Sequence, residues 1–382
     1  MKRTNLISTC TLAFLIHTTS SAQQLVAAER NQNSPVEGSL ITKIRKLPES
    51  ELSGGQKSIP PVHNLFIVTL DGFRWQELFT GADFSLINNE KYTPDFKMIS
   101  TLYWAATPIE RRKKLMPFFW NVIAEKGQIY GNRSLDNKVN VANPYAKSYP
   151  GYSEIFTGAV DPEISSNKKI LNPNPNVLAY LNTRPGFQNK VAAFTSWDVF
   201  PYILNEQRSG FLINSGYDTL DSSMPSEEQA LINKTEDEGV DEKTSTRYDQ
   251  LTLLVAKEYI RKHQPRVVYL GLGETDEFAH QGRYDLYLGQ ANQIDKMIGD
   301  LWLWVQTTPG YADNTTFIIT TDHGRGRKNN WTSHGQFITG STQTWLAVIG
   351  PGLLPIGEVK EHLQLYQQEL AQAVAELLGE EF

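Results

Sequence analysis

Three apolar runs in this 382-residue chain lead to acids: "NLFIVTL" to Asp71, "RVVYLGLGET" to Asp276 and "TTFIITT" to Asp322. A carboxylate just past an apolar strand is costly to bury alone. It is stable there if it binds a cation or caps a helix. Histidines stand beside these acids. In "DEFAH", Asp276 and His280 have the i, i+4 spacing that puts both on one helical face, suited to one metal. His323 follows Asp322 in "TTDHG", and His334 lies in "SHG" on the same Gly-rich stretch. Each piece alone is weak. Asp71 in "DGF" reads equally as a turn residue, and Asp276 with His280 reads better as a solvated helix face. The set is more telling, because three of the seven histidines sit beside these acids. Three Asp and three His make a ligand set for two zinc-like ions. Paired divalent cations hold an anionic nucleophile and offset charge on phosphoryl and leaving oxygens.

The elements that must position these residues alternate. Strands are predicted at 64–70, 190–197, 266–272 and 315–321, and again in "TWLAVIGPG". Between them lie helical stripes. "KKLMPFFWNVIAEKG" is stopped by Gly127 and broken or opened by Pro117. "YDQLTLLVAKEYIRKHQP" ends at Pro265. A long amphipathic helix runs from about Tyr284 to Gln306. "LQLYQQELAQAVAELLG" reads as a final helix stopped by Gly379. Doubly buried strands alternating with helices imply an α/β fold: a large, mostly parallel (mixed) central sheet sandwiched between helices. Sites in such sheets form where the C-terminal ends of strands meet their loops.

Composition narrows the partners. The formal net charge is −6 with no long basic run, so duplex nucleic acid is not an expected partner. Residues 1–22 read as an export signal: a basic Met1-Lys2-Arg3, an apolar Leu6–Ile16, and Ser20 and Ala22 before a cleavage point. That run is too short for a comfortable membrane span, so no stable anchor is expected after cleavage and the protein is expected to be periplasmic or secreted. Cys10, the one cysteine, lies inside this signal. The mature chain then offers no disulfide or thiolate metal site. Residues 23–61 read as a polar, flexible linker and 62–382 as a single catalytic domain. A poorly patterned acidic stretch around 222–246 reads as a surface insertion.

One hydroxyl remains. Ser148 stands in "NPYAKSYPGYSEIFTGA", after Lys147 and before Tyr149-Pro150, at the mouth of a helix. Locally it reads as an N-cap worth about 1 kcal/mol. The ordered motifs "VTLDG", "KSYPGYSEIFTG", "TDEFAH", "TTDHG" and "SHG" change the choice. Together they resemble the alkaline phosphatase superfamily, most of all its nucleotide pyrophosphatase/phosphodiesterase and related phosphatase branches, over roughly residues 62–382. The resemblance implies that Ser148 is a covalent nucleophile. It implies one metal on Asp276, His280 and His334, and a second on Asp71, Asp322 and His323 beside Ser148. The ions implied are zinc, with manganese or another divalent ion compatible with the ligands. A cation and a helix N-terminus both favour a serine alkoxide.

Four further residues are candidates for holding substrate: Lys147, Gly151, Arg325 and Arg327. At Gly151 the diesterase pattern has an Asn that contacts the phosphoryl group. Arg325 and Arg327, in "DHGRGRKNN", suit the extra charge of a monoester. The function implied is an exported two-metal phosphoesterase. It would hydrolyse phosphate monoesters or small phosphodiesters through a phosphoserine. A phosphoglycerate-mutase-like phosphotransferase shares these motifs, and a catalytically silent metal-containing binding protein would share the fold. Lack of a Cys/Ser-x-Pro-x-Arg segment argues against a formylglycine sulfatase.

Overall fold

The computed structural model describes residues 40–47, 63–220 and 225–382. The expected export signal with Cys10 and most of the expected linker lie outside these residues. Among them, strands form two sheets. The central sheet holds β1 (Asn64–Leu70), β2 (Gln128–Tyr130), β4 (Val191–Thr195), β5 (Leu212–Ser215), β6 (Val267–Leu272), β7 (Thr315–Thr320), β9 (Leu346–Ile349) and β10 (Gly357–Glu358). A small sheet holds β3 (Asn137–Asn140), β8 (Gln343–Thr344) and β11 (Leu363–Tyr366). The flanking helices include α1 (Leu40–Lys43), α2 (Ser148–Thr157), α3 (Glu227–Glu238), α4 (Asp249–His263), α5 (Glu274–His280), α6 (Tyr284–Thr307) and α7 (Leu370–Leu377). No helix among the described residues is long and apolar enough to cross a membrane.

The central order is β10-β2-β9-β7-β1-β6-β4-β5. From β7 to β5 neighbours run parallel, while β9 is antiparallel to both β7 and β2. This is the mixed, mostly parallel sheet that the alternation predicts. Strands β1, β6 and β7 are buried at every residue, as a sheet covered on both faces requires. Successive side chains of β1 face opposite ways. Phe66, Val68 and Leu70 join one apolar core, and Leu65 and Ile67 join the other.

Several local readings need correction. "LQLYQQEL" does not begin a helix. Leu363–Tyr366 is a strand paired parallel to β3, and the helix starts only at Leu370. Its Leu-Gln-Leu-Tyr alternation has period two, and the pairing edge of β3 decides the outcome. Residues 40–47 fall in the stretch read as a linker, yet they dock. Leu40, Ile41 and Ile44 are buried in the core, Lys46 bridges Leu353, and Tyr130 Oη donates to the Lys43 carbonyl at 3.0 Å. Within the acidic stretch, α3 forms with Ser226 as N-cap. It sends Glu236 inward to a fully buried pair with Arg247 at 3.2 Å. Pro117 does break its helix: one helix ends at Leu115, and a π-helical turn at Phe119–Ile123 follows.

Candidate metal centre and nucleophile

The three acids meet because β7, β1 and β6 are neighbours and parallel. Asp71 is the first residue past β1, and its N–H donates to Leu272 O at 2.9 Å, which ends β6. Asp322 lies just past β7 and its Oδ1 accepts from Gly72 N at 3.0 Å. Asp276 and His280 are carried by α5, which starts beyond β6. Thr275 Oγ1 donates to the Asp71 carbonyl at 2.6 Å and ties α5 to the β1 end.

The loop before α2 brings the rest. Asn143 Oδ1 accepts from Tyr145 N at 3.1 Å and Ala146 N at 2.9 Å. Glu154 in α2 accepts from Ala142 N at 2.7 Å and Asn143 N at 2.9 Å. Ala146 is left at φ 45, a conformation costing a non-glycine roughly 1–2 kcal/mol. Its carbonyl accepts from His334 Nδ1 at 3.0 Å. One loop therefore both presents Ser148 and orients His334. Further along α2, Tyr152 Oη donates to Asp71 Oδ2 at 3.2 Å.

All six predicted ligands and Ser148 converge. His323 Nε2 is 3.2 Å from Ser148 Oγ, 3.5 Å from Asp71 Oδ1 and 3.4 Å from Asp322 Oδ2. His280 Nε2 is 3.1 Å from both Asp276 Oδ2 and His334 Nε2. The rings of His323 and His334 stack at 3.8 Å. His323 Nδ1 donates to Gly324 O at 2.9 Å, so its Nε2, like that of His334, carries a lone pair. Among the described residues, two sets of three have donor atoms within 4.8 Å of one another: Asp276, His280 and His334, and Asp71, Asp276 and His323. Asp276 therefore stands between the two groups.

These donors fit divalent cations. Asp71 Oδ1 and Asp322 Oδ2 are buried with no hydrogen-bond partner among the described residues, a costly state for carboxylates. Burial pushes Asp71 well above the carboxylate range, helped by Asp322 and Asp276, and pushes Asp322 up to about 7. Burial also lowers His323 far below its ordinary value and His334 to about 4, which keeps both rings neutral and ready to ligate. Burial acts to raise Asp276 too, but Arg325, His280 and His334 outweigh it and hold it well below the usual range. Buried acids crowded around neutral imidazoles lack positive charge, and divalent metal ions would supply it.

The four substrate candidates each make contacts within the fold. Arg325 is buried and spent inside the protein: Nη1 binds Asp276 Oδ1, Nε donates to Trp331 O at 2.9 Å and Nη2 to Thr332 O at 2.6 Å. Arg327 is exposed and donates to Gln343 Oε1 at 3.3 Å. Lys147 Nζ donates to the Ser165 carbonyl at 3.2 Å. Gly151 packs on Asp322, where a Cβ would stand 2.4 Å from the carbonyl oxygen, so no side chain fits.

A cavity of about 170 Å³ opens on the site, lined by Asp71, Ser148, Asp276 and His280 together with Asn167, Trp197, Thr246, Gly273 and Glu277. Those last five were not singled out from the sequence. Asn167 sits in a polar run, "SSNKK", that carries no signal of its own. Its Oδ1 accepts from Tyr149 N at 3.0 Å, which leaves its amide N–H₂ to donate. Glu277 is the immediate neighbour of Asp276, and its Oε1 accepts from Thr246 Oγ1 at 2.9 Å.

Residues 119–377 match the family described as type I phosphodiesterase / nucleotide pyrophosphatase. No curated protein matches the sequence. Among solved structures, the chain is similar to the lipoteichoic acid synthase LtaP from Listeria monocytogenes (TM-score 0.53, 13% identity, 84% of this chain and 72% of that one). It is similar to the phosphonate monoester hydrolase of Agrobacterium radiobacter (TM-score 0.52, 14% identity, 84% and 74%). It is also similar to a mutant of the alkaline phosphatase PafA (TM-score 0.54, 11% identity, 85% and 97%). At these identities the likeness is one of fold, and it agrees with the alkaline-phosphatase-like sheet expected from the motifs.

Proposed function

Since the chain belongs to the type I phosphodiesterase / nucleotide pyrophosphatase family, we propose that it is an exported hydrolase of small phosphodiesters, with Ser148 as its covalent nucleophile. The observation that carries this reading is the place of Ser148. It starts α2, lies 3.2 Å from His323 Nε2, and lines one cavity with Asp71, Asp276 and His280. Two divalent ions, zinc by choice of ligands, would be held by Asp276, His280 and His334 and by Asp71, Asp322 and His323. When bound they favour the serine alkoxide and offset phosphoryl charge.

The chain's own residues do the rest. The positive end of the α2 dipole favours negative charge at Ser148 and on a phosphoryl oxygen. Asn167 donates its amide to that phosphoryl group, which answers the absence of an Asn at Gly151. Ser148 Oγ bonds to phosphorus as the ester P–O bond breaks, and the departing alcohol takes a proton. Water then cleaves the Ser148–phosphorus bond and releases the phosphate monoester.

The cavity wall also bears on charge. Among the described residues it contains no Lys or Arg, and Arg325 and Arg327 are engaged with Asp276 and Gln343. A monoester dianion would find no side-chain cation for its extra charge, so the monoanionic diester is favoured. The test is turnover of bis-aryl and aryl phosphates by the zinc-loaded chain, wild type against Ser148→Ala. Diester turnover that disappears in the variant is expected. Turnover that survives in Ser148→Ala overturns the covalent mechanism.

A further inference from the structure

Helix α5 carries two of the candidate ligands, Asp276 and His280, yet it has only seven residues and a Gly273 N-cap without a side-chain cap. Its first N–H groups need partners from elsewhere. Asp249, the first residue of α4, supplies them: Oδ1 accepts from Gly273 N at 2.8 Å and Oδ2 from Glu274 N at 3.3 Å. The favour is returned. Helix α4 also lacks a side-chain cap at Tyr248, and Glu274 Oε2 accepts from Asp249 N at 2.7 Å. Each helix is thus capped by the first residue of the other.

Gln290 of α6 locks the exchange. Its Nε2 donates to Asp249 Oδ2 at 2.7 Å and to Glu274 Oε2 at 3.2 Å. Ser196, just past β4, donates to Asp249 Oδ1 at 2.6 Å. All four residues are buried. Among the described residues neither acid has an ion pair; helix N–H groups, an amide and a hydroxyl hold them. None of the four lines the reactive cavity.

A network this buried, without a counter-charge, sits two residues from Asp276 in the same helix. We infer that Asp249, Glu274 and Gln290 are positioning residues that set the place of Asp276 and His280, and so the affinity of the cation held by Asp276, His280 and His334. They act through α5 and touch neither metal nor substrate. The other cation group draws Asp71 and Asp322 from strand ends and meets α5 only through Asp276 and the Thr275–Asp71 bond, so it should depend on them less. The inference rests on the two-cation reading above, but not on what the protein hydrolyses.

Zinc titration by calorimetry, with native mass spectrometry for stoichiometry, tests this on the full folded chain. Wild type should bind two zinc ions. Asp249→Asn places an amide donor against donors, and Gln290→Leu removes the donor between the two acids. Each variant should bind one zinc roughly 10–100-fold more weakly, as loss of an outer partner of metal ligands typically causes, and the other with a clearly smaller loss. Should Asp249→Asn fail to fold cooperatively, Gln290→Leu alone decides the matter. A lower melting temperature with both affinities unchanged makes the network merely structural and overturns the inference. So does equal weakening of both ions, or a wild-type chain that takes up no zinc. Two zinc ions without hydrolysis of any ester would defeat the proposed activity, while the titration still decides this inference.

Discussion

Gly151 and Asp322 touch so closely that a single Cβ at residue 151 would stand 2.4 Å from the Asp322 carbonyl oxygen and 3.1 Å from its carbon. The contact sets how near α2, and with it Ser148, can lie to the end of β7. Space is the constraint, and the obstacle is backbone, which cannot swing aside. Gly151→Ala and Gly151→Asn must lift α2 off the strand end. Both are expected to lower unfolding free energy by about 1–3 kcal/mol, as overpacking does. Displacing the nucleophile by a fraction of an ångström to one ångström should reduce kcat up to roughly 100-fold. Denaturant melts and steady-state kinetics measure the two effects. A Gly151→Asn variant that gained diesterase activity would show that the contact is not restrictive.

Asn167 should matter more to turnover than to stability. It is exposed, and its side chain is tied to the fold by the bond from Tyr149 N at 3.0 Å. If its amide meets the phosphoryl group, Asn167→Ala removes one preorganised donor, a loss worth roughly 100-fold in kcat. The melting temperature should move by only a few degrees. Diester kinetics beside thermal melts check this; a variant with unchanged kcat/KM assigns Asn167 to the loop alone.

The contrast between these two residues shows what a sequence carries. Asp71, Asp276 and Asp322 were legible because an apolar run that stops at an acid fixes both the strand and the side of the sheet on which the acid emerges. His280 and His334 followed from spacing and from the order of the motifs. Asn167, Trp197 and Thr246 were silent, since their loops approach Ser148 only through tertiary packing. Arg325 was misdirected for a related reason. Its charge is plain in "HGRGR", but whether it faces solvent or Asp276 depends on where the 331–332 carbonyls lie. Leu363–Tyr366 was read with the wrong period because its partner β3 lies far away in the sequence, at Asn137–Asn140.

Arg325 is therefore expected to behave as a buried partner of Asp276, not as a substrate clamp. Arg325→Ala removes the guanidinium beside the largely buried Asp276 carboxylate and leaves two backbone carbonyls without donors. Breaking one side of a buried pair costs about 3–5 kcal/mol. Activity on aryl phosphate and bis-aryl phosphate should fall by the same factor, because no contact to a particular substrate is lost. Arg325→Lys should rescue little, since one ammonium cannot reach three acceptors in fork geometry. A loss at least tenfold greater on the monoester would restore Arg325 to the substrate.

Asp295 offers a pH test away from the candidate metals. It lies in α6, nearly buried, and its two oxygens accept from Phe118 N at 2.7 Å and Phe119 N at 2.8 Å. Burial pushes its carboxyl up to about 7, against the pull of those two N–H groups. An unfolded Asp titrates near about 3.9. The folded state therefore holds the proton more tightly, so this group's contribution to stability is greatest below about pH 4 and is lost as pH rises towards about 7. At about 1.4 kcal/mol per unit, the loss amounts to at most about 4 kcal/mol. Asp295→Ala removes this dependence and also strands two buried N–H groups, which costs about 1–3 kcal/mol each. The variant should thus be less stable than wild type, with a wider gap at pH 5 than at pH 8. Denaturant melts at the two values measure it, and a gap that widens with pH would mean that Asp295 is held as a carboxylate by its N–H partners.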